Sequence, residues 1–102
     1  RLVLGTDVEA SRATARALLS RYMGRANCRR TLEAHGFAAS ELDNGVTDAA
    51  VDALVPHGAP AVLAAAVEAH LAAGANHVCV QSLPGADDPV PLFTALAGEL
   101  GL

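Results

Sequence analysis

His57 and Gly58 stand directly before a predicted helix that begins at Pro60. Free backbone N–H groups and the helix dipole at such an N-terminus favour a phosphate or another anion. Gly58 also gives the backbone freedom to turn sharply. We therefore predict that His57 and Gly58 are candidates for binding a phosphate or another anion. The alternative is a plain turn between a loop and a helix.

Gln81 ends the segment with the strongest strand character, residues 77–81, which is rich in β-branched side chains and bounded by turn-forming residues. Alternate side chains of a strand point to opposite faces, so Gln81 and Cys79 share one face and Val80 occupies the other. If the valine face packs against helices, Gln81 faces a pocket and is a third candidate binding residue. The alternative is a polar side chain hydrogen-bonded to neighbouring strands.

The remaining polar candidates are interpreted as structural. Thr6 and Asp7 follow the first apolar run, but Thr6 is already accounted for as the N-cap of a helix. The four histidines form no i, i+4 pair, so we predict no metal site. His70 falls in an apolar helical stripe and is expected to be half-buried. Cys28 and Cys79 form no CxxC pair and are expected to be free, buried thiols.

Composition excludes several classes of function. The chain has 102 residues, enough for one domain, with 7 basic residues against 11 acidic ones and a net charge of −4. All the basic residues are Arg, and they form no basic stripe, which argues against a nucleic-acid partner. No apolar run approaches the roughly 20 residues that span a bilayer. No secretory signal is visible, so we expect a cytoplasmic protein.

The order of predicted elements indicates an α/β fold with parallel strands. Residues 2–4 form an apolar run typical of a strand buried on both faces, and residues 77–81 form a second strand. Several helices separate these strands, and a helix over residues 92–100 follows. Two or three strands are too few to close a barrel.

Local signals place the helix ends. A capping box from Thr6 to Glu9 predicts that the first helix starts at Thr6. Thr47 is predicted to cap a short helix. Gly36 and Gly74 are predicted to be the C′ residues that stop two others.

Residues 63–83, LAAAVEAHLAAGANHVCVQSL, resemble the last helix–strand unit of luciferase-like monooxygenases, most closely the actinobacterial coenzyme F420-dependent oxidoreductases of that family. Residues 3–16 resemble the sixth barrel strand and its helix. Residues 29–37, RRTLEAHGF, resemble the helical insertion that follows, and residues 51–58, VDALVPHG, resemble the approach to the seventh strand. The resemblance is carried by this ordered set rather than by any single motif.

The resemblance implies that residues 1–102 are the C-terminal portion of a TIM-type (β/α)8 barrel. It further implies hydride transfer or monooxygenation of a small organic substrate by reduced F420 or FMN. His57, Gly58 and Gln81 would then line the cofactor pocket, with Gln81 near the isoalloxazine or the substrate. The family's catalytic residues lie on earlier strands, so no catalytic residue is assigned. The segment alone is expected to be inactive, and either to self-associate or to join an N-terminal barrel segment.

Two other functions are compatible with the sequence. One is a non-catalytic α/β interaction or oligomerisation module. The other is an intact non-catalytic relative that uses the fold only as a structure. Binding of a flavin or deazaflavin by the purified protein would separate the oxidoreductase from both.

Overall fold

The structure, a computed structural model, describes residues 1–85 and 87–102. Within these ranges six helices make up 58% of the chain, and two strands have two residues each. In chain order, the elements are β1 (Val3–Leu4), α1 (Val8–Met23), α2 (Ala26–Ala34), α3 (Ala39–Leu42), α4 (Asp48–Leu54), β2 (His57–Gly58), α5 (Pro60–Ala72) and α6 (Val90–Glu99).

The sheet is small and parallel, and β1 lies at its centre. On one side β1 pairs with β2, with Val3 opposite His57. On the other side Leu2 forms a parallel bridge to Ser82. There the Leu2 N–H donates to the Gln81 carbonyl at 2.9 Å, and the Leu83 N–H donates to the Leu2 carbonyl at 2.9 Å.

Helices cover both faces of this sheet, and each face has its own core. Val3 belongs to a cluster formed with α1, α4 and the residues that flank α4; its buried members are Val3, Ala15, Leu19, Val46, Ala50, Val51 and Val55. Leu2 belongs to a cluster formed with α5 and α6; its buried members are Leu2, Leu63, Ala64, Val67, Leu92 and Leu96. Adjacent residues of one strand thus point into different cores, as strand geometry requires.

The predicted fold, the C-terminal portion of a TIM-type barrel, is wrong. In such a barrel each strand lies beside the next one in the chain, and helices cover only the outside. Here β1 lies between β2 and the segment around Ser82, and helices pack on both faces. The chain forms a small, mostly helical domain with a two-stranded parallel sheet.

The predicted strand over residues 77–81 is wrong, because no strand forms there and the nearest contact with the sheet is the bridge at Ser82. Burial alternates along it, since Val78 and Val80 are half-buried and Cys79 and Gln81 are exposed. Among the described residues, the backbone of this segment bonds to β1 only through the Gln81 carbonyl, which accepts from the Leu2 N–H beside the isolated Ser82 bridge. The pattern predicted the direction of the side chains correctly, but it could not supply a partner strand.

Most helix ends were predicted correctly. Thr47 Oγ1 accepts a hydrogen bond from the Ala50 N–H at 3.3 Å. Gly36 and Gly74 both have positive φ, +101° and +103°, one residue beyond the helix caps. The N-cap of α1 is the exception, because Asp7 takes this role instead of Thr6 and accepts from the Ala10 N–H at 3.0 Å.

Candidate active site at the strand ends

A cavity of about 360 Å³ opens at the carboxyl ends of the parallel segments. It lies between the end of β1, the first two turns of α1 and the loop that leads to α6. Apolar side chains from the sheet and α6 line it together with four hydroxyl groups and three carboxylates. The polar lining consists of Thr6, Asp7, Ser11, Thr14, Ser82, Asp87 and Asp88.

A tight strand-to-helix turn positions the α1 side of the cavity. Gly5 follows β1 directly, and its N–H donates to the Gly58 carbonyl at 3.1 Å. A Cβ at Gly5 would lie 3.0 Å from Ser11 Oγ, so a larger residue would require the Ser11 hydroxyl to shift by a few tenths of an ångström. Ser11 is 4% exposed and is the one buried polar side chain among the described residues. Ser11 therefore contributes a largely buried hydroxyl to the lining of the cavity.

Carboxylates dominate the electrostatics of the cavity. Asp7 and Asp88 also shape its rim, because Asp7 caps α1 and Asp88 Oδ1 accepts from the Val90 N–H at 3.0 Å. Among the described lining residues there is no Lys, Arg or His to balance the three carboxylates. The site therefore favours a neutral, hydroxylated ligand or a cationic one, and it disfavours a phosphate.

His57 lies outside this cavity, in a network of charged groups between β2, α1 and α4. Its Nε2 atom is 2.8 Å from Asp52 Oδ1, and the side chain is 12% exposed. Arg12 binds the same carboxylate in a bidentate manner, with Nε 2.9 Å from Oδ1 and Nη2 2.7 Å from Oδ2. The Arg12 guanidinium, and after it His57, hold the pKa of Asp52 well below its usual range.

The network extends along α1. Arg12 also approaches Asp48 and Glu9, at 3.4 Å in each case. Arg16 pairs with Asp48, and its Nε donates to the Val46 carbonyl at 3.0 Å. These contacts join α1 to α4. The His57 imidazole joins them through its own hydrogen bond to Asp52.

The structure does not bring the three predicted cofactor residues together. His57 and Gly58 lie in β2, on one side of β1, and Gln81 lies on the other side with an exposed side chain. None of the three is among the residues that line the cavity. Gly58 has φ +136°, and an added Cβ would meet Val62 only at an ordinary 3.6 Å. The conformation of the turn, not lack of space, therefore requires glycine at this position.

Two further expectations about single residues are wrong. His70 is exposed on α5 rather than half-buried, because Leu63 and Val67 already fill the contact with the sheet. Cys79 is exposed and Cys28 is half-buried, so neither is the fully buried thiol that was expected. Both cysteines are free.

Sequence reasoning missed most of the polar lining of the cavity. One signal was Ser11, which interrupts the apolar face of α1 four residues before Ala15 and eight before Leu19. Another was the pair Asp87 and Asp88, which follows the third parallel segment in a loop rich in Pro, Gly and Asp. Carboxyl ends of parallel strands meet at one edge of a sheet, where α/β proteins bind ligands.

In the part of the chain that the structure describes, no three His, Cys, Asp or Glu side chains are grouped so that they could hold a metal ion. Nor does any described helix have the length and apolar character needed to cross a membrane. Comparison of the chain with protein-family models, with curated proteins and with solved structures found no match.

Proposed function

We propose that this chain is part of an oxidoreductase of the luciferase-like type, and that its cavity at the strand ends binds the substrate. The activity is hydride transfer or monooxygenation of a small organic molecule by reduced F420 or FMN. The ordered sequence resemblance supports the activity. The observation that carries the site is the position of the cavity, at the carboxyl ends of the parallel segments.

The charge of the cavity supports a substrate, rather than the cofactor, as its ligand in this proposal. FMN and F420 both carry phosphate, which the carboxylates of Asp7, Asp87 and Asp88 would repel. The hydroxyls of Ser11 and Thr14 can donate and accept hydrogen bonds. The substrate class that fits is a small, neutral or cationic molecule with hydroxyl or amino groups.

In this proposal the predicted residues contact different parts of the cofactor, because His57 and Gly58 lie on one side of β1 and Gln81 lies on the other. Gln81 has an exposed amide that is free to bind a ring nitrogen or carbonyl. Gly58 would contact the cofactor through its backbone. His57, hydrogen-bonded to Asp52, would contact the cofactor beside Gly58. No catalytic residue is assigned.

The test is a titration of the protein expressed from its complete gene with FMN and with F420, followed by absorbance and fluorescence. We expect micromolar binding of one of them, weakened by Gln81→Ala but not by the control Glu68→Gln on α5. The 102-residue chain alone should bind neither cofactor measurably. If the complete protein binds neither at high micromolar concentration, the proposal is wrong.

A second candidate function, a non-catalytic interaction module, is favoured by a different observation. Within the described residues, the backbone N–H and C=O groups of residues 76–80 have no hydrogen-bond partner. Unpaired strand edges are sites where another chain can add a strand. Binding through this edge without cofactor binding would favour the module over the oxidoreductase.

A further inference from the structure

The outer edge of residues 77–82, which we call the edge segment, offers a regular row of backbone groups. The carbonyl of Gln81 and the N–H of Leu83 point toward β1, where both bond to Leu2. In a strand, backbone groups of alternate residues point to opposite sides. Burial alternates along residues 77–81 as it does in a strand, and this geometry directs the groups of Val78, Val80 and Ser82 away from β1, where no described residue bonds to them.

The edge segment also lacks the features that usually protect a strand edge. Such edges carry charged side chains, proline or a bulge that blocks pairing with another chain. Residues 69–86 contain no Asp, Glu, Lys or Arg, although the chain as a whole has a net charge of −4. Two copies of the chain can therefore approach each other at this edge without bringing charged side chains of like sign together.

An apolar groove of about 630 Å³ runs beside the same edge. Val78 and Val80 form one wall, and α5 and α6 form the other. Phe93 and Leu102, which line the groove, are 40% and 90% exposed. A partner that extends the sheet would cover this groove as well, adding burial of apolar surface to the backbone hydrogen bonds.

We propose that a second copy of this chain pairs with the edge segment, antiparallel, with the two-fold axis beside Cys79. The direction of the backbone groups is consistent with this register: Val78 of one copy and Val80 of its partner exchange hydrogen bonds. Cys79 then lies opposite Cys79 as a non-hydrogen-bonded pair, with Cα atoms about 4.5 Å apart. This inference rests on the interaction role and is independent of the redox activity.

The side chains of the edge segment are self-complementary in this register. On the half-buried face Val78 meets Val80, a β-branched pair that stabilises a sheet. On the exposed face His77 meets Gln81, and an imidazole and an amide can hydrogen-bond to each other. A symmetric interface is the commonest way in which identical chains associate.

Sedimentation equilibrium of the reduced chain, from low micromolar to about 1 mM, measures the association. We expect a concentration-dependent monomer–dimer equilibrium. Cys79→Arg places two guanidinium groups opposite each other and should weaken the dimer at least about tenfold. His70→Arg adds the same charge at an exposed site on α5 and should leave the dimer unchanged. Mixing Cys79→Arg with Cys79→Asp should restore association.

A cross-link tests the register independently. Diamide takes up two hydrogens from a pair of thiols and leaves one disulfide. Cys28→Ser should still form a disulfide-linked dimer rapidly, and Cys79→Ser should not.

A chain that stays monomeric, a dimer indifferent to Cys79→Arg, or cross-linking that needs Cys28 would each overturn the proposal. A monomer that still binds an immobilised Val/Thr-alternating peptide would refute only the proposal that a second copy is the partner. A monomer that does not bind this peptide would also refute the function as an interaction module.

Discussion

The two halves of the molecule, one on each face of the sheet, are stabilised differently. The α1/α4 half combines a buried cluster around Val51 with a network of ion pairs centred on Arg12. The α5/α6 half has a comparable buried cluster around Leu63, but from residue 69 to residue 86 it has no charged side chain. Hydrophobic contacts hold two elements together without fixing their relative orientation closely. Hydrogen-bonded charged pairs also fix that orientation. The first half is therefore closed by specific contacts, whereas the second leaves a groove and an unpaired strand edge.

The largest expected effect comes from truncating the centre of each core. Leu63 is 1% exposed, and Leu63→Ala should lower the free energy of unfolding by about 3 kcal/mol. Val51 is fully buried, and Val51→Ala should cost about 2 kcal/mol. Denaturant melts measure both, with the exposed Val62→Ala as a control that should change little. If the halves unfold as one unit, both variants shift a single transition; two separate transitions would show that the halves are independent.

Replacing one of two matched glycines, one in each half, should lower the free energy of unfolding by less than the core substitutions do. Gly36 and Gly74 have nearly the same φ, and neither would bring an added Cβ within 4 Å of another group. Gly36→Ala and Gly74→Ala should therefore each cost about 1 kcal/mol through backbone strain alone. Gly98, inside α6, is the control, and Gly98→Ala should stabilise the domain slightly. An unchanged midpoint for Gly74→Ala would contradict its role as the helix stop.

The smallest effect concerns the charged network and is confined to the α1/α4 half. Arg12 and then His57 lower the pKa of Asp52, so the folded protein binds a proton there less readily than the unfolded chain does. The contribution of Asp52 is therefore complete above its ordinary pKa of 3.8 and is lost as the pH falls through the lower folded value. Asp52→Asn should be less stable than the natural chain at pH 7, by less than the core variants, since the pair is partly exposed. The difference should shrink at high salt and toward pH 2. A difference that stays constant across that pH range would show that the ion pairs do not act as inferred.

The sequence by itself determined the features that depend on neighbouring residues. Thr47, Pro60, Gly36 and Gly74 mark helix ends correctly, because capping and left-handed turns involve groups within one helical turn. The alternation of burial along residues 77–81 was also predictable, since it follows from strand geometry alone. The exchange of Thr6 for Asp7 as N-cap is an error of one residue, between two adjacent side chains that can both cap.

Only the tertiary structure decided which strand lies beside which and what the polar residues contact. Placing β1 between β2 and Ser82 depends on contacts more than 50 residues apart, which no local pattern encodes. The pairing of Arg12 with Asp52 and His57, and the meeting of Ser11 with Asp87 and Asp88 at one cavity, follow from that arrangement. His57, Gly58 and Gln81 were separated for the same reason: strand order is set by how two apolar cores close around the sheet.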